Sequence, residues 1–206
     1  DVYYLPTNDE NALASNHAVE AMKETILKSD DPLTIIAIGP LTNIAILLST
    51  YPEVTDYIKE IVLMGGSTGR GNVIPLAEFN IYCDPEAAQV VFNSGLPLTM
   101  IGLDLAREAM FSHDFVKSFK NQNETGHMLH DLFQHYRSED FEYGVKIYDV
   151  FTILYLLQPQ AFNVKEADVQ IELAGQYTKG ATVVDFESHY PNCTVVLSPV
   201  DKGYED

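Results

Sequence analysis

The residues of this chain best suited to chemistry lie between Met64 and Asp84, in the run Met-Gly-Gly-Ser-Thr-Gly-Arg-Gly-Asn-Val-Ile-Pro-Leu-Ala-Glu-Phe-Asn-Ile-Tyr-Cys-Asp. An apolar stretch, Ile61-Val62-Leu63-Met64, empties there into glycines and a long polar segment carrying Asn72, Glu78 and Asn80. An irregular connection of this length inside a compact domain is uncommon and is usually a binding loop or disorder. Glu78, Phe79 and Asn80 alternate, so an extended chain would place the carboxylate and the carboxamide on one face. A carboxylate accepts hydrogen bonds and a carboxamide both accepts and donates them, which suits a polyol such as a sugar.

Other chemistries fit less well. Gly65-Gly66-Ser67-Thr68-Gly69 matches the G-x-S-x-G elbow of serine hydrolases, and Asp149 and His189 follow in a workable order. The elbow must launch a helix, however, and Gly71 and Pro75 oppose one, so a glycine-rich turn is the stronger reading. Gly66 to Asn72 has the glycine separation of a P-loop, but Asn72 stands where the phosphate-binding lysine belongs. His127, His130 and His135 fall in one helical stretch, and their spacing alone is weak evidence for zinc beside the simpler reading as surface or packing histidines.

Bulk composition narrows the class. The 46% apolar share over 206 residues reads as globular, with enough chain for a sizeable core. A net charge of −18 argues against nucleic acid or an anionic membrane surface as partner. No apolar run reaches membrane-spanning length, and no signal-peptide pattern opens the chain. Cys83 and Cys193 are too few for a disulfide framework and have no CxxC spacing, so a reducing, cytoplasmic setting is the default expectation. The chain opens on Asp1 and stops at Tyr204-Glu205-Asp206, which reads as a piece of a longer protein.

The elements that must position the polar loop follow from punctuation and periodicity. Leu33 to Ile38 is a continuous apolar run, as expected of a strand covered on both faces, and Gly39-Pro40 breaks it. A short helix over Ile44–Leu48 ends before Pro52, and Lys59 to Met64 is the next strand. Asp84-Pro85-Glu86 supplies an N-cap, a proline at the first helical position and an acid in the first turn, predicting a helix to about Asn93. Pro97 to Leu103 is a third strand ending at Asp104. Ser112 to Ser138 is helical, with Phe115, Phe119, Met128, Leu129, Leu132 and Tyr136 as core candidates, and Val150 to Leu157 is a further helix. Val169–Leu173, Ala181–Phe186 and Thr194–Leu197 read as strands, with turns at Gly175 and Lys179-Gly180. The β-α-β-loop-α-β order predicts an α/β, Rossmann-like domain over residues 1–206, with a mostly parallel sheet flanked by helices. In such sheets ligands bind beyond the carboxyl ends of the strands, where Ile38, Met64 and Asp104 fall.

Several strings together, in order and spacing, resemble the inosine-uridine preferring nucleoside hydrolases. They are Gly39-Pro40-Leu41-Thr42-Asn43-Ile44-Ala45, Val62-Leu63-Met64-Gly65-Gly66, Ala77-Glu78-Phe79-Asn80 and Asp84-Pro85-Glu86-Ala87-Ala88, with weaker support from Gly102-Leu103-Asp104 and Glu172-Leu173-Ala174-Gly175. The resemblance implies hydrolysis of the N-glycosidic bond of a ribonucleoside to free base and ribose, as in purine and pyrimidine salvage. It implies a calcium ion holding the nucleophilic water, with the Ile38 carbonyl and Asp149 as ligands. It also implies that Asn72, Glu78 and Asn80 hold sugar hydroxyls with Met64 against the ribose, in an assembly that is a homodimer or homotetramer. Singly, Asn72 reads equally as a turn residue, Glu78 as a solvated acid and Met64 as core; jointly they favour the site. Cys83 and Asp104 read as structural, Cys83 as a small buried group.

Two departures from the family pattern bear on activity. The aspartate cluster of the form Asp-x-Asp-x-x-x-Asp-Asp is absent; Asp30-Asp31 does not match it. Ile38 and Asp149 alone cannot make a calcium site of roughly six to eight ligands, so a nucleoside- or ribose-binding protein without the metal is the alternative. Before the calcium aspartate the family often has histidine, whereas here the dipeptide is Tyr148-Asp149. A phenol with a pKa of about 10 is a weaker proton donor to a departing base than imidazole, although Tyr148 could stack on or hydrogen-bond to the base.

Overall fold

The computed structural model describes residues 17–136 and 144–201. In chain order the elements are α1 (Ala18–Lys28), β1 (Leu33–Ala37), α2 (Thr42–Thr50), β2 (Ile58–Met64), α3 (Phe79–Cys83), α4 (Pro85–Phe92), β3 (Leu98–Ile101), α5 (Leu103–Glu108), β4 (Met110–Phe111), α6 (His113–Phe119), α7 (Glu124–Tyr136), β5 (Val145–Lys146), α8 (Val150–Leu157), β6 (Phe162–Ile171), β7 (Thr182–Asp185) and β8 (Cys193–Pro199). Among the described residues six strands form one sheet in the order β1-β2-β3-β8-β6-β7. The first four run parallel, and β6 is antiparallel to both β8 and β7. The expected α/β architecture with a mostly parallel sheet and flanking helices is therefore present.

Strand alternation divides the apolar side chains between two cores. Ile61, Leu63, Met100 and Val195 face one side, where Leu47, Val91 and Ile81 cover them. Val62, Ile101 and Val196 face the other, under Leu105, Phe111 and Phe151. Successive residues of a strand point to opposite faces, so a sheet covered on both sides needs apolar residues in succession, as at Ile61–Met64 of β2 and, Thr99 apart, along β3.

Where expectation and structure differ, the reasons are local. The third strand stops at Ile101, because Gly102 and Leu103–Glu108 turn into α5. The single helix expected over 112–138 is two, α6 and α7, separated by a turn at 120–123. Leu132 is exposed, and Val116 and Phe133 take the packing role instead. Ser138 and the Tyr136 side chain lie outside the described residues. Strand β6 begins at Phe162, earlier than Val169, since its first half is largely solvent-facing and shows no apolar signal. Cys83 is exposed, and Cys193 is the buried thiol, its pKa pushed up to about 12 by desolvation.

The Asp84-Pro85 start of α4 forms as read. The Asp84 carboxylate accepts from Ala87 N at 3.1 Å and from Thr42 Oγ1 at 2.5 Å, tying the first turns of α4 and α2 together. Replacing Asp84 by Ala removes both bonds. The expected loss is about 1–2 kcal/mol of unfolding free energy, read from urea denaturation, and a variant as stable as its parent would contradict the cap.

Candidate functional site

The parallel strands end together. Ala37 pairs with Leu63 and Met64 with Ile101, so Ile38, one residue past β1, lies beside Met64 along the carboxyl edge. The loop of residues 65–78 leaves from that edge and is built rather than loose. Gly66 has φ 76°, and a Cβ there would stand 2.8 Å from Met100 Sδ and 2.9 Å from Thr182 Cγ2. A Cβ on Gly71 would meet the Ala77 carbonyl oxygen at 2.1 Å, because residues 71–77 fold back on themselves. Gly71 N donates to Pro75 O at 2.8 Å and Asn72 N to Ala77 O at 3.1 Å.

Glu78 organises the end of this loop. It is the N-cap of α3, and its carboxylate accepts three backbone amides: Asn80 N at 2.9 Å on Oε1, and Gly66 N at 3.0 Å and Ile81 N at 3.2 Å on Oε2. Asn80 turns inward as well, and its Nδ2 donates to the Met64 carbonyl at 2.9 Å. Glu78 is 3% exposed and Asn80 8%. The two therefore converge through a helix cap, not through the extended alternation expected from the sequence, and Phe79 between them is left exposed. Asn72 Oδ1 accepts Phe79 N at 2.9 Å, which fixes the entry to α3 from the other side of the loop. The Asn80 Oδ1 and the Asn72 Nδ2 make no hydrogen bond among the described residues, and Oε1 of Glu78 keeps a lone pair, so the cluster retains both acceptor and donor capacity.

Asp149 and Tyr148 arrive from the opposite side of the sequence. They precede α8, whose Phe151 packs over Val62 of β2, and Tyr148 is half-buried. Asp149 is exposed as a residue, yet partial burial of its carboxyl raises its pKa. Burial likewise pushes the Glu78 carboxyl above its ordinary 4.5, against the pull of its amide donors, and the negative charge of Asp149 adds to the rise. Met64 is buried against Asn80, and Ile38 is 55% exposed.

The remaining candidates resolve differently. Ser67 is 2% exposed, its Oγ donates to the Arg70 carbonyl at 3.0 Å and contacts Asp104 Oδ1 at 3.4 Å, and the residues after it form bends, so it is no nucleophile elbow. His189 is exposed in the β7–β8 connection and does not bond to Ser67. Asp104 accepts Thr68 N at 2.6 Å and pairs with Arg107 at 3.6 Å, and Arg107 also donates to the Arg70 carbonyl. His127 and His130 share Asp131, at 3.7 and 3.1 Å. Among the described residues no group of three or more His, Cys, Asp or Glu side chains could hold a metal ion. Ile38 and Asp149 offer two oxygen donors and Glu78 at most one remaining lone pair, so these residues do not fit a calcium site of roughly six to eight oxygens by themselves. No helix among the described residues is long and apolar enough to cross a membrane.

In parallel α/β sheets ligands bind beyond the carboxyl ends of the strands, and the Glu78–Asn80 cap lies at that edge. The chain belongs to the inosine-uridine preferring nucleoside hydrolase family, whose sequence pattern matches residues 1–204. The non-specific ribonucleoside hydrolases RihC of Salmonella newport and Salmonella typhimurium are each 50% identical to it over 167 residues, covering 81% of this chain and 55% of theirs. The chain thus spans about half the length of these relatives. A solved inosine-guanosine nucleoside hydrolase superposes with a TM-score of 0.88 at 23% identity, over 98% of this chain and 69% of that one. A purine-preferring ribonucleoside hydrolase from Gardnerella vaginalis gives 0.80 at 29% identity, over 91% and 62%.

The raised Glu78 pKa has a thermodynamic consequence. Its contribution to stability is fully present below the unfolded value of 4.5 and is lost as pH rises through the folded value. Urea unfolding of Glu78→Gln and the parent between mildly acid and neutral pH should show the parent losing ground to the variant as pH rises. A stability difference that stays flat across that window would rule out the burial of an ionising Glu78.

Proposed function

We propose that this chain carries the ribose-binding side of a nucleoside N-ribohydrolase site and serves hydrolysis of a ribonucleoside to free base and ribose. The observation that carries the reading is the Glu78–Asn80 cap at the carboxyl edge of β2. The RihC relatives act on ribonucleosides by name, and their 50% identity supports the same substrate class here. Ribose hydroxyls would meet Asn80 Oδ1, Asn72 Nδ2 and the free lone pair of Glu78, with Met64 forming the floor. As the glycosidic bond breaks, positive charge grows on the sugar, and fixed carboxylate and amide oxygens favour that charge more than the neutral ground state. Tyr148 would stand towards the base, as a hydrogen-bond partner or stacking surface.

The calcium ion of the resemblance would take the Ile38 carbonyl and Asp149 as two of its ligands and needs others from outside the described residues. That shortfall favours one second reading, a protein that binds a nucleoside without cleaving it.

Ribose release from inosine and from uridine, measured with calcium and with chelator beside calorimetric binding of inosine, separates the two. Calcium-dependent release that Asp149→Ala abolishes is the expected result for the hydrolase, and binding without release selects the second reading. Asn80→Ala should weaken inosine binding by about tenfold or more under both, as a buried polar partner lost without replacement does. A folded chain that binds neither nucleoside defeats both.

A further inference from the structure

Thr182, the first residue of β7, touches the loop 115 residues away in sequence. Its hydroxyl accepts Ser67 N–H at 2.9 Å and donates to the carbonyl of the same residue at 2.6 Å. One side chain thereby satisfies the pair of backbone groups that a neighbouring strand would ordinarily engage. Thr182 is 8% exposed, so solvent is poorly placed to replace it. The preceding residue, Ala181, bridges to Ala77, so the start of β7 meets the loop near its beginning and again near its end. From the other side Leu103 N donates to Gly66 O at 3.0 Å, and Asp104 takes Thr68 N. Gly66 is held between these two attachments, and its N–H is the one that reaches Glu78 Oε2.

We propose that Thr182 is a positioning residue of the ligand site: by clamping the peptide groups of Ser67 it keeps Gly66 N–H on the Glu78 carboxylate and so fixes that carboxylate's orientation. The identity of the ligand rests on the nucleoside-hydrolase reading, whereas the clamp itself does not. A hydroxyl is required and a methyl alone will not serve. Thr182→Val keeps the shape and removes both bonds, while Thr182→Ser keeps the bonds and removes the methyl.

The test combines amide hydrogen exchange by NMR with inosine calorimetry on the full chain. Loss of the clamp should release not only Ser67 but also Asn80 and Ile81, the other two amides on Glu78. In Thr182→Val all three should exchange at least about tenfold faster and inosine should bind about tenfold more weakly, with Thr182→Ser within about threefold of the parent in both. Faster exchange confined to Ser67, with Asn80, Ile81 and inosine affinity unchanged, would make Thr182 merely structural and overturn the proposal. Equal damage from Thr182→Ser would also overturn it, since packing and not the hydroxyl would then be responsible. If Thr182→Val does not fold, Thr182→Ala, which leaves room for a water, provides the same comparison against Thr182→Ser. A parent chain that binds no inosine counts against the nucleoside reading alone, and exchange at Asn80 and Ile81 still decides the clamp.

Discussion

The site depends on one buried carboxylate. Glu78 holds three amides from two separate stretches of chain, Gly66 at the exit of β2 and Asn80 and Ile81 at the start of α3. A five-residue helix such as α3 is too short to persist on its own propensity, because nucleation fixes several residues for each bond gained. Its first orphan amides are instead met by an ionisable side chain, and charge-assisted bonds to backbone N–H groups are among the stronger ones available. Without that carboxylate Gly66, Asn80 and Ile81 lose the acceptor their amides share.

The same group is under competing demands. Burial favours the neutral acid, three N–H donors favour the anion, and the Asp149 charge favours the neutral form again. Burial prevails, so part of the site's polarity is held at a cost to the fold. Such costs are usual where side chains are arranged for a ligand rather than for stability.

Much of the frame was legible because its signals are local. β1, β2 and the Asp84-Pro85 start of α4 show up as apolar runs and cap residues bounded by glycine and proline. The misses have long-range causes. α5 follows β3 through Gly102 with Leu103 and Leu105 still apolar, so periodicity over so few residues cannot separate strand from helix. The polar half of β6 is a strand because β8 pairs with it, not because its own residues alternate. For the site, residue types pointed to Glu78 and Asn80, but the geometry that joins them was misread as extended. Thr182 carried no signal, since nothing near it in sequence announces a partner at Ser67.

These long-range attachments explain how a glycine-rich loop can carry a site at all. Gly66 and Gly71 are required by close approaches, and each also lowers the conformational cost of leaving the site's geometry. Precision must therefore come from outside the loop: Thr182 and Ala181 from β7, Leu103 and Asp104 from α5, and Glu78 at its own end. The charge of Asp149 adds to the rise in the Glu78 pKa, so the two carboxylates repel. Such repulsion falls when positive charge develops nearby, and because the donors are fixed beforehand the gain requires little reorganisation. A sugar that becomes cationic only as its glycosidic bond breaks would draw on this gain late in the reaction and scarcely at all in the bound ground state. A ligand that stays neutral would find only the hydrogen bonds. In the proposed site the attachments of the loop would fix the Glu78 side of that arrangement, while Asp149 is carried separately at the start of α8.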